Sequence, residues 1–203
     1  MANTRRQGKL YVVSGPSGAG KGTICRELLK DVNTEFSVSM TTRAPREGEV
    51  DGKDYFFVTK EEFEENIAQG NFLEYAVNFD NMYGTPKDAV LKRLERRRNV
   101  LLDIDVKGAL QVKSLMPEAV MIFVLPPDRQ TLRERLEGRG TESQEVIEQR
   151  LALALNEIKL IGEYDYYIVN DTVENAVNDV RSIMRAEAVR VPDKVKPIIS
   201  RYE

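Results

Sequence analysis

Leu10-Tyr11-Val12-Val13-Ser14-Gly15-Pro16-Ser17-Gly18-Ala19-Gly20-Lys21-Gly22-Thr23 passes from an apolar segment through a glycine-rich turn to a lysine and on into a helical pattern. Gly15 to Lys21 match the first seven positions of the P-loop. Glycines let successive backbone N–H groups turn inward around phosphate oxygens, the helix N-terminus adds positive potential, and the lysine supplies a full charge. A plain glycine-rich strand–helix turn leaves the lysine unexplained. The stretch departs from the usual motif at Gly22, which stands where Ser or Thr is expected; the hydroxyl comes one place later, at Thr23. Neighbouring helix positions point about 100° apart, so a metal at this loop is expected to be held mostly by phosphate oxygens and water.

Outward from the loop, apolar strand-length runs alternate with helical patterns, which predicts an α/β fold with a parallel sheet flanked by helices. Leu10–Ser14, Val100–Ile104, Ala119–Leu125 and Tyr166–Val169 read as strands buried on both faces. Helices are predicted over Lys21–Lys30, Pro86–Arg97, Lys107–Leu115, Arg129–Glu137, Gln144–Ile161 and Val173–Val189, with Thr85-Pro86 as an N-cap and first-turn proline. Thr59 and Glu62 form a capping-box pattern for a short helix ending near Gly70. Residues 33–85, with turn signals at Asp51-Gly52 and Asn81–Gly84, read as a small mixed α+β subdomain, and the polar, glycine-hinged 138–151 as a lid. The expected organisation is a tail at 1–7, a domain at 8–187 with its core in 8–32, 86–137 and 152–187, and a second tail at 188–203.

Composition removes several classes of chemistry. The 203 residues hold no histidine, so catalytic triads, histidine bases and histidine metal ligands are all excluded. Cys25 is the single cysteine, which rules out an internal disulfide and reads most simply as a small buried apolar residue. A net charge of −3 argues against a dedicated nucleic-acid binder. The basic run Lys92, Arg93, Arg96, Arg97, Arg98 is interrupted by Glu95 and reads as a solvated helix face. No apolar stretch approaches the roughly 18–20 residues that cross a bilayer, and no signal peptide is apparent, so no membrane partner and a cytoplasmic location are expected. No pattern specifies an oligomeric state.

The second half-site needs other residues. Ser39, Arg43, Arg46 and Tyr55 gather hydroxyls and guanidiniums in the small subdomain; arginine suits bidentate phosphate contact, although two loop arginines are commonly just solvated surface. The stretch Phe36 to Tyr55, FSVSMTTRAPREGEVDGKDY, closely resembles the GMP-binding signature of guanylate kinases. The resemblance continues through Phe72-Leu73-Glu74-Tyr75-Ala76, Asn81-Met82-Tyr83-Gly84-Thr85, Leu102-Asp103-Ile104-Asp105, Leu136 to Thr141 and Ile168-Val169-Asn170-Asp171, covering roughly residues 8–187. It implies a P-loop NTPase core with a GMP-binding subdomain and a lid. Ser39, Arg43, Arg46, Tyr55 and Tyr83 would hold the GMP phosphate, and Glu74 and Thr85 would read guanine with help from Asp105. A carboxylate accepts the N1–H and N2–H donors of guanine while a hydroxyl donates to O6; for Glu74 alone, an exposed strand carboxylate is the competing reading.

The activity implied is ATP-dependent phosphorylation of GMP to GDP, with magnesium accompanying ATP. Gly15, Pro16, Ser17, Gly18, Ala19, Gly20, Lys21, Gly22 and Thr23 would hold ATP, with Asn170 at the adenine. Lys21, Arg43, Arg135, Arg139 and Arg150 are the candidates for neutralising the migrating phosphoryl group. Asp103 either orients metal-bound water or caps the next helix. A kinase for another nucleoside monophosphate, and a non-catalytic module that binds phosphorylated peptides, are the alternatives; the first should lack the Glu74/Thr85 pair and the second the phosphate loop.

Overall fold

All five residues of β1 (Leu10–Ser14) are buried, and they divide by parity: Tyr11 and Val13 enter one hydrophobic cluster, Leu10 and Val12 another. That is the signature of a strand covered on both faces. The computed structural model describes residues 8–31, 33–78, 80–138, 144–191, 195–200 and 202–203. After β1 come α1 (Lys21–Leu28), β2 (Thr34–Phe36), β3 (Met40–Thr41), β4 (Phe56–Phe57), α2 (Lys60–Ala68), β5 (Phe72–Asn78) and β6 (Asn81–Pro86). The chain continues through α3 (Lys87–Glu95), β7 (Asn99–Asp103), α4 (Val106–Leu115), β8 (Val120–Leu125) and α5 (Arg129–Glu137). It ends with α6 (Gln144–Ile158), β9 (Tyr166–Val169), α7 (Val173–Val189) and α8 (Lys196–Ile199).

Five strands form a parallel sheet in the order β2-β7-β1-β8-β9. The parity seen in β1 recurs in its neighbours: Leu101, Val120, Ile122 and Val124 join Ile24, Cys25 and Leu28 of α1 and Ala176, Val177 and Val180 of α7. Val100, Leu102 and Met121 meet Val90 and Leu94 of α3 and Ala109 and Val112 of α4 on the other face. Cys25 is 3% exposed within the first cluster, and burial pushes its thiol well above the ordinary value, in keeping with an inert packing role. A second sheet, in the order β4-β3-β6-β5, carries α2 over a separate small core of Phe63, Phe72 and Met82. The capping box of α2 forms as its spacing predicts, with Thr59 accepting from the Glu62 N–H and Glu62 accepting from the Thr59 N–H.

Three local expectations are corrected. Thr34–Phe36 pair with β7 in the parallel sheet, so this edge strand belongs to the core and not to the small subdomain. Asn81–Gly84, turn-like in residue type, lie in β6, where pairing with both β3 and β5 overrides the local preference. Thr85 does not cap α3; Pro86 occupies the N-cap without a side-chain bond, because the Thr85 hydroxyl is used elsewhere. Residues 139–143 of the expected lid, including Arg139, lie outside the described residues. Residues 144–151 are helical, packed on α5 through Ile147 and Leu151 against Leu132 and Leu136.

Phe63 is fully buried and stacks on Phe72 with ring centroids 4.5 Å apart. Phe63→Ala should therefore cost about 3–5 kcal/mol, read as a fall in the urea midpoint. An unchanged midpoint would mean that this small core stands outside the cooperative unit.

Candidate active site

The phosphate loop leaves the C-terminal end of β1 and enters α1 through Gly20, whose φ of 91° lies in the left-handed region. A Cβ at Gly20 would stand 2.2 Å from the Nδ2 of Asn170. Both conformation and space therefore demand glycine here. Asn170 is 4% exposed and donates from Nδ2 to the Ala19 carbonyl at 2.7 Å, so its carboxamide braces the loop from below; its Oδ1 has no partner among the described residues. Arg135 of α5 braces the same place, donating to the carbonyls of Asn170 at 2.8 Å and Ala19 at 3.4 Å. Lys21 Nζ donates to the carbonyls of Gly15 at 2.6 Å and Pro16 at 3.2 Å. Burial pulls this ammonium down from its ordinary value, while Asp103, Glu157 and Asp105 push it back up.

Asp103 ends β7 opposite Val13 of β1, which sets it beside the loop. Its Oδ2 lies 3.3 Å from where a Cβ at Gly22 would be, so a carboxylate approaches the place at which the usual motif carries a hydroxyl. Burial raises the Asp103 carboxyl and Lys21 lowers it. The helix-cap role that competes for Asp103 is filled by Asp105, which accepts from the Gly108 N–H at 2.8 Å. Thr23 is exposed, and Arg26 reaches its hydroxyl at 3.5 Å.

The small subdomain assembles the second cluster. Arg43 donates from Nη2 to both oxygens of Glu49, at 2.8 and 2.9 Å, and its guanidinium lies 5.5 Å from the Tyr55 ring centroid. Tyr55 meets Tyr83 edge to face at 6.0 Å. Ser39 is half-buried, and its carbonyl accepts from the Phe56 N–H. Arg46 presents an exposed side chain while its own N–H donates to Glu49 at 2.7 Å. Glu49 is thus the organiser of this loop, a role that the sequence pattern offers only as an acidic residue six places after Arg43. The Arg43 hydrogen bond holds its carboxyl below the ordinary value.

Glu74 is the most unusual group. The pairing of β5 with β6 slips between Phe72 and Glu74, a bulge that breaks strict alternation. In consequence Phe72, Leu73 and Glu74 are all buried, Phe72 in the subdomain core, Leu73 in the main core and Glu74 opposite Thr85. Glu74 is 6% exposed and Thr85 fully buried, and the Thr85 hydroxyl donates to Glu74 Oε1 at 2.5 Å. Burial pushes the Glu74 carboxyl up to about 7, with the Thr85 bonds opposing and Asp105 adding. The two half-sites are close. Asp103, the last residue of β7, acts electrostatically on both Lys21 and Tyr55, and Asp105 on both Lys21 and Glu74, which couples loop and cluster. Glu157 of α6, absent from the sequence reading, joins them, with burial raising its carboxyl and Lys21 lowering it. Arg150 is half-buried on the same helix.

Gly20→Ala should displace Asn170 and strain the loop; on the roles that the family resemblance implies, ATP binding should weaken by about tenfold or more while GMP binding stays within about twofold. Calorimetric titration with each nucleotide measures this; equal losses for both would place the effect outside the loop.

Several known proteins are similar to this chain. Residues 7–187 match the family model described as guanylate kinase. A guanylate kinase of Clostridioides difficile is 51% identical over 199 residues, covering 98% of this chain and 97% of the relative. One of Lactococcus lactis is 53% identical over 199 residues, with 98% and 95% covered. The crystal structure of guanylate kinase from Anaplasma phagocytophilum superposes with a TM-score of 0.75 at 35% identity, over 91% of this chain and 88% of that one. The SH3-kinase fragment of tight junction protein 3 shares the fold alone, at 10% identity and a TM-score of 0.51. The family model spans most of the chain and relatives are about half identical over nearly its full length, so the chain belongs to the guanylate kinase family.

Proposed function

We propose that the protein transfers the γ-phosphoryl group of ATP to GMP, giving ADP and GDP. The observation that carries this reading is the buried Glu74–Thr85 pair beside a phosphate loop. A carboxylate that accepts two parallel donors and a hydroxyl free to rotate toward O6 match the guanine edge, whereas adenine would leave the carboxylate unpaired. The alternatives are not favoured: a kinase for another acceptor has no use for the pair, and a peptide-binding module has none for the loop. Two members of the basic run, Arg93 and Arg98, are ion-paired with Glu35, which fits a surface helix better than a nucleic-acid interface.

In this reading Ser39, Arg43, Arg46, Tyr55 and Tyr83 hold the GMP phosphate, and its anionic oxygen attacks without needing a general base. The work of the chain is then positioning and charge neutralisation. Lys21 and the loop amides hold the donor phosphates. Arg135, Arg139 and Arg150 supply positive charge on the lid side, and Asn170 keeps the loop in register beneath the donor nucleotide. Among the described residues no group of three or more Asp, Glu or Cys is arranged to hold an ion unaided. The Asp103 carboxylate, close to Gly22 at the start of α1, would be the protein neighbour, through water, of a magnesium ion arriving with ATP. There the ion would screen the phosphate charge. No helix among the described residues is long and apolar enough to cross a membrane, and we place the enzyme in the cytoplasm.

A coupled assay offering GMP, AMP, UMP and dTMP separately with ATP and magnesium tests the function. Activity should be confined to guanine acceptors, and Lys21→Ala should lower kcat by about 10³-fold or more with the fold intact. Binding of GMP without phosphorylation of any acceptor would hand the site to the non-catalytic reading. Glu74 adds a pH signature. Because guanine requires the carboxylate, binding of guanosine, which has no phosphate to titrate, should strengthen as pH rises from about 6 to 8 through the raised Glu74 value of about 7. Stability runs the opposite way. The raised folded value means that the contribution of Glu74 is present below its ordinary 4.5 and lost as pH rises through about 7. Glu74→Gln should therefore melt higher than the parent at about pH 8 and lose that advantage on acidification, while binding guanosine poorly throughout; a pH-independent difference would remove Glu74 as the titrating group.

A further inference from the structure

Gly108 sits in the first turn of α4, and its φ is not among the positive values found for glycines in the described residues. Alanine is the better residue in such a position on helix propensity alone. What a side chain at 108 would meet is Glu74: an added Cβ would lie 2.7 Å from Oε2 and 3.2 Å from Cδ. No real Cβ contact is that short, so either the carboxylate or the helix would have to move. The same residue's N–H donates to Asp105. Glycine here therefore serves the carboxylate and not the helix.

One turn further along the same face, Gln111 closes a two-bond ring with the main chain of Tyr75. Its Nε2 donates to the Tyr75 carbonyl at 3.0 Å, and the Tyr75 N–H donates to its Oε1 at 3.1 Å. Tyr75 follows Glu74 on β5, the edge strand of the smaller sheet, and Gln111 answers it on the side that has no neighbouring strand among the described residues. The main core thus grips the subdomain at the residue next to the carboxylate.

We propose that the α4 face bearing Gly108 and Gln111 is a gauge that fixes where the guanine-reading carboxylate stands. Gly108 leaves the volume that Glu74 fills, and Gln111 ties β5 to the core at the right distance. Both are positioning residues for acceptor recognition. The inference rests on the assignment of Glu74 to guanine, so the test separates the two.

Initial rates over a grid of GMP and ATP concentrations, with melting temperatures, are measured for the full chain carrying Gly108→Ala, Gln111→Ala, Glu74→Gln, Glu74→Asp and the Gly108→Ala/Glu74→Asp pair. Gly108→Ala should raise KM for GMP by about tenfold or more, hold KM for ATP within about twofold and not lower the melting temperature. Gln111→Ala should raise KM for GMP by about threefold to tenfold, again without changing KM for ATP. The shorter aspartate withdraws its carboxylate from the new methyl. The double variant should then bind GMP better than Gly108→Ala, although Glu74→Asp alone binds it worse than the parent; that non-additivity marks direct contact. Parent-like KM for GMP in Gly108→Ala, with Glu74→Gln impaired, would overturn the gauge and leave the guanine reading standing. So would a joint rise in both KM values with a lower melting temperature and no recovery in the double variant. Parent-like GMP kinetics in Glu74→Gln would overturn the guanine reading and the gauge with it.

Discussion

β1 is hydrogen-bonded along both edges, to β7 on one side and β8 on the other, and every one of its residues is buried. Such a strand cannot slide without breaking two ladders and exposing both cores, which makes its C-terminal end the fixed point of the molecule. The phosphate loop departs from that end, and Asp103 is held beside it by register with Val13. The order β2-β7-β1-β8-β9 also turns at this strand: the chain runs first to one side of β1 and later to the other. A crevice over the carboxyl ends follows from that topology, before any side chain is specified.

Into this crevice the protein places groups that work against its own stability. Glu74 is shut away from water with one hydroxyl partner, and its raised carboxyl measures the cost: a shift from 4.5 to about 7 corresponds to roughly 3 kcal/mol of preference for the neutral form. Asn170 keeps an oxygen without a partner among the described residues, and Lys21 a partly desolvated ammonium. Stability is supplied away from them, by the two apolar clusters of the main sheet and by the aromatic stack under β5. The second core lets the carboxylate be held rigidly without borrowing packing from the nucleotide.

The sequence reveals what is local and hides what depends on approach across the chain. The phosphate loop, the alternation around it and the Thr59 capping box are legible because each is a short run of residues that states its own geometry. β2 is hidden because Thr34-Glu35-Phe36 is three residues long and is a strand only by virtue of β7. Asn81–Gly84 carry turn residues yet lie between two partner strands, and Thr85-Pro86 spells a helix start whose hydroxyl is diverted to Glu74. Glu49, Gly108 and Gln111 carry no motif of their own. Their roles arise from bringing Arg43, Glu74 and Tyr75 to them, and only Glu49 leaves even a faint trace in its spacing from Arg43. Ser39, Arg43, Arg46, Tyr55 and Tyr83 are named as a set only by the family resemblance, and of these Arg43, Tyr55 and Tyr83 meet in the structure, while the bulge that buries Glu74 is not written in any residue type.

Three cations of the site have internal acceptors: Lys21 on the carbonyls of Gly15 and Pro16, Arg43 on Glu49, Arg135 on the carbonyls of Ala19 and Asn170. Under the proposed assignment, each partner is an acceptor that a phosphate oxygen would replace. Binding is then an exchange of acceptors and not the stripping of free, hydrated charges, which lowers the reorganisation needed when charge moves during transfer. The exchange is also selective. A ligand lacking phosphate would offer Lys21 nothing better than the Gly15 carbonyl at 2.6 Å.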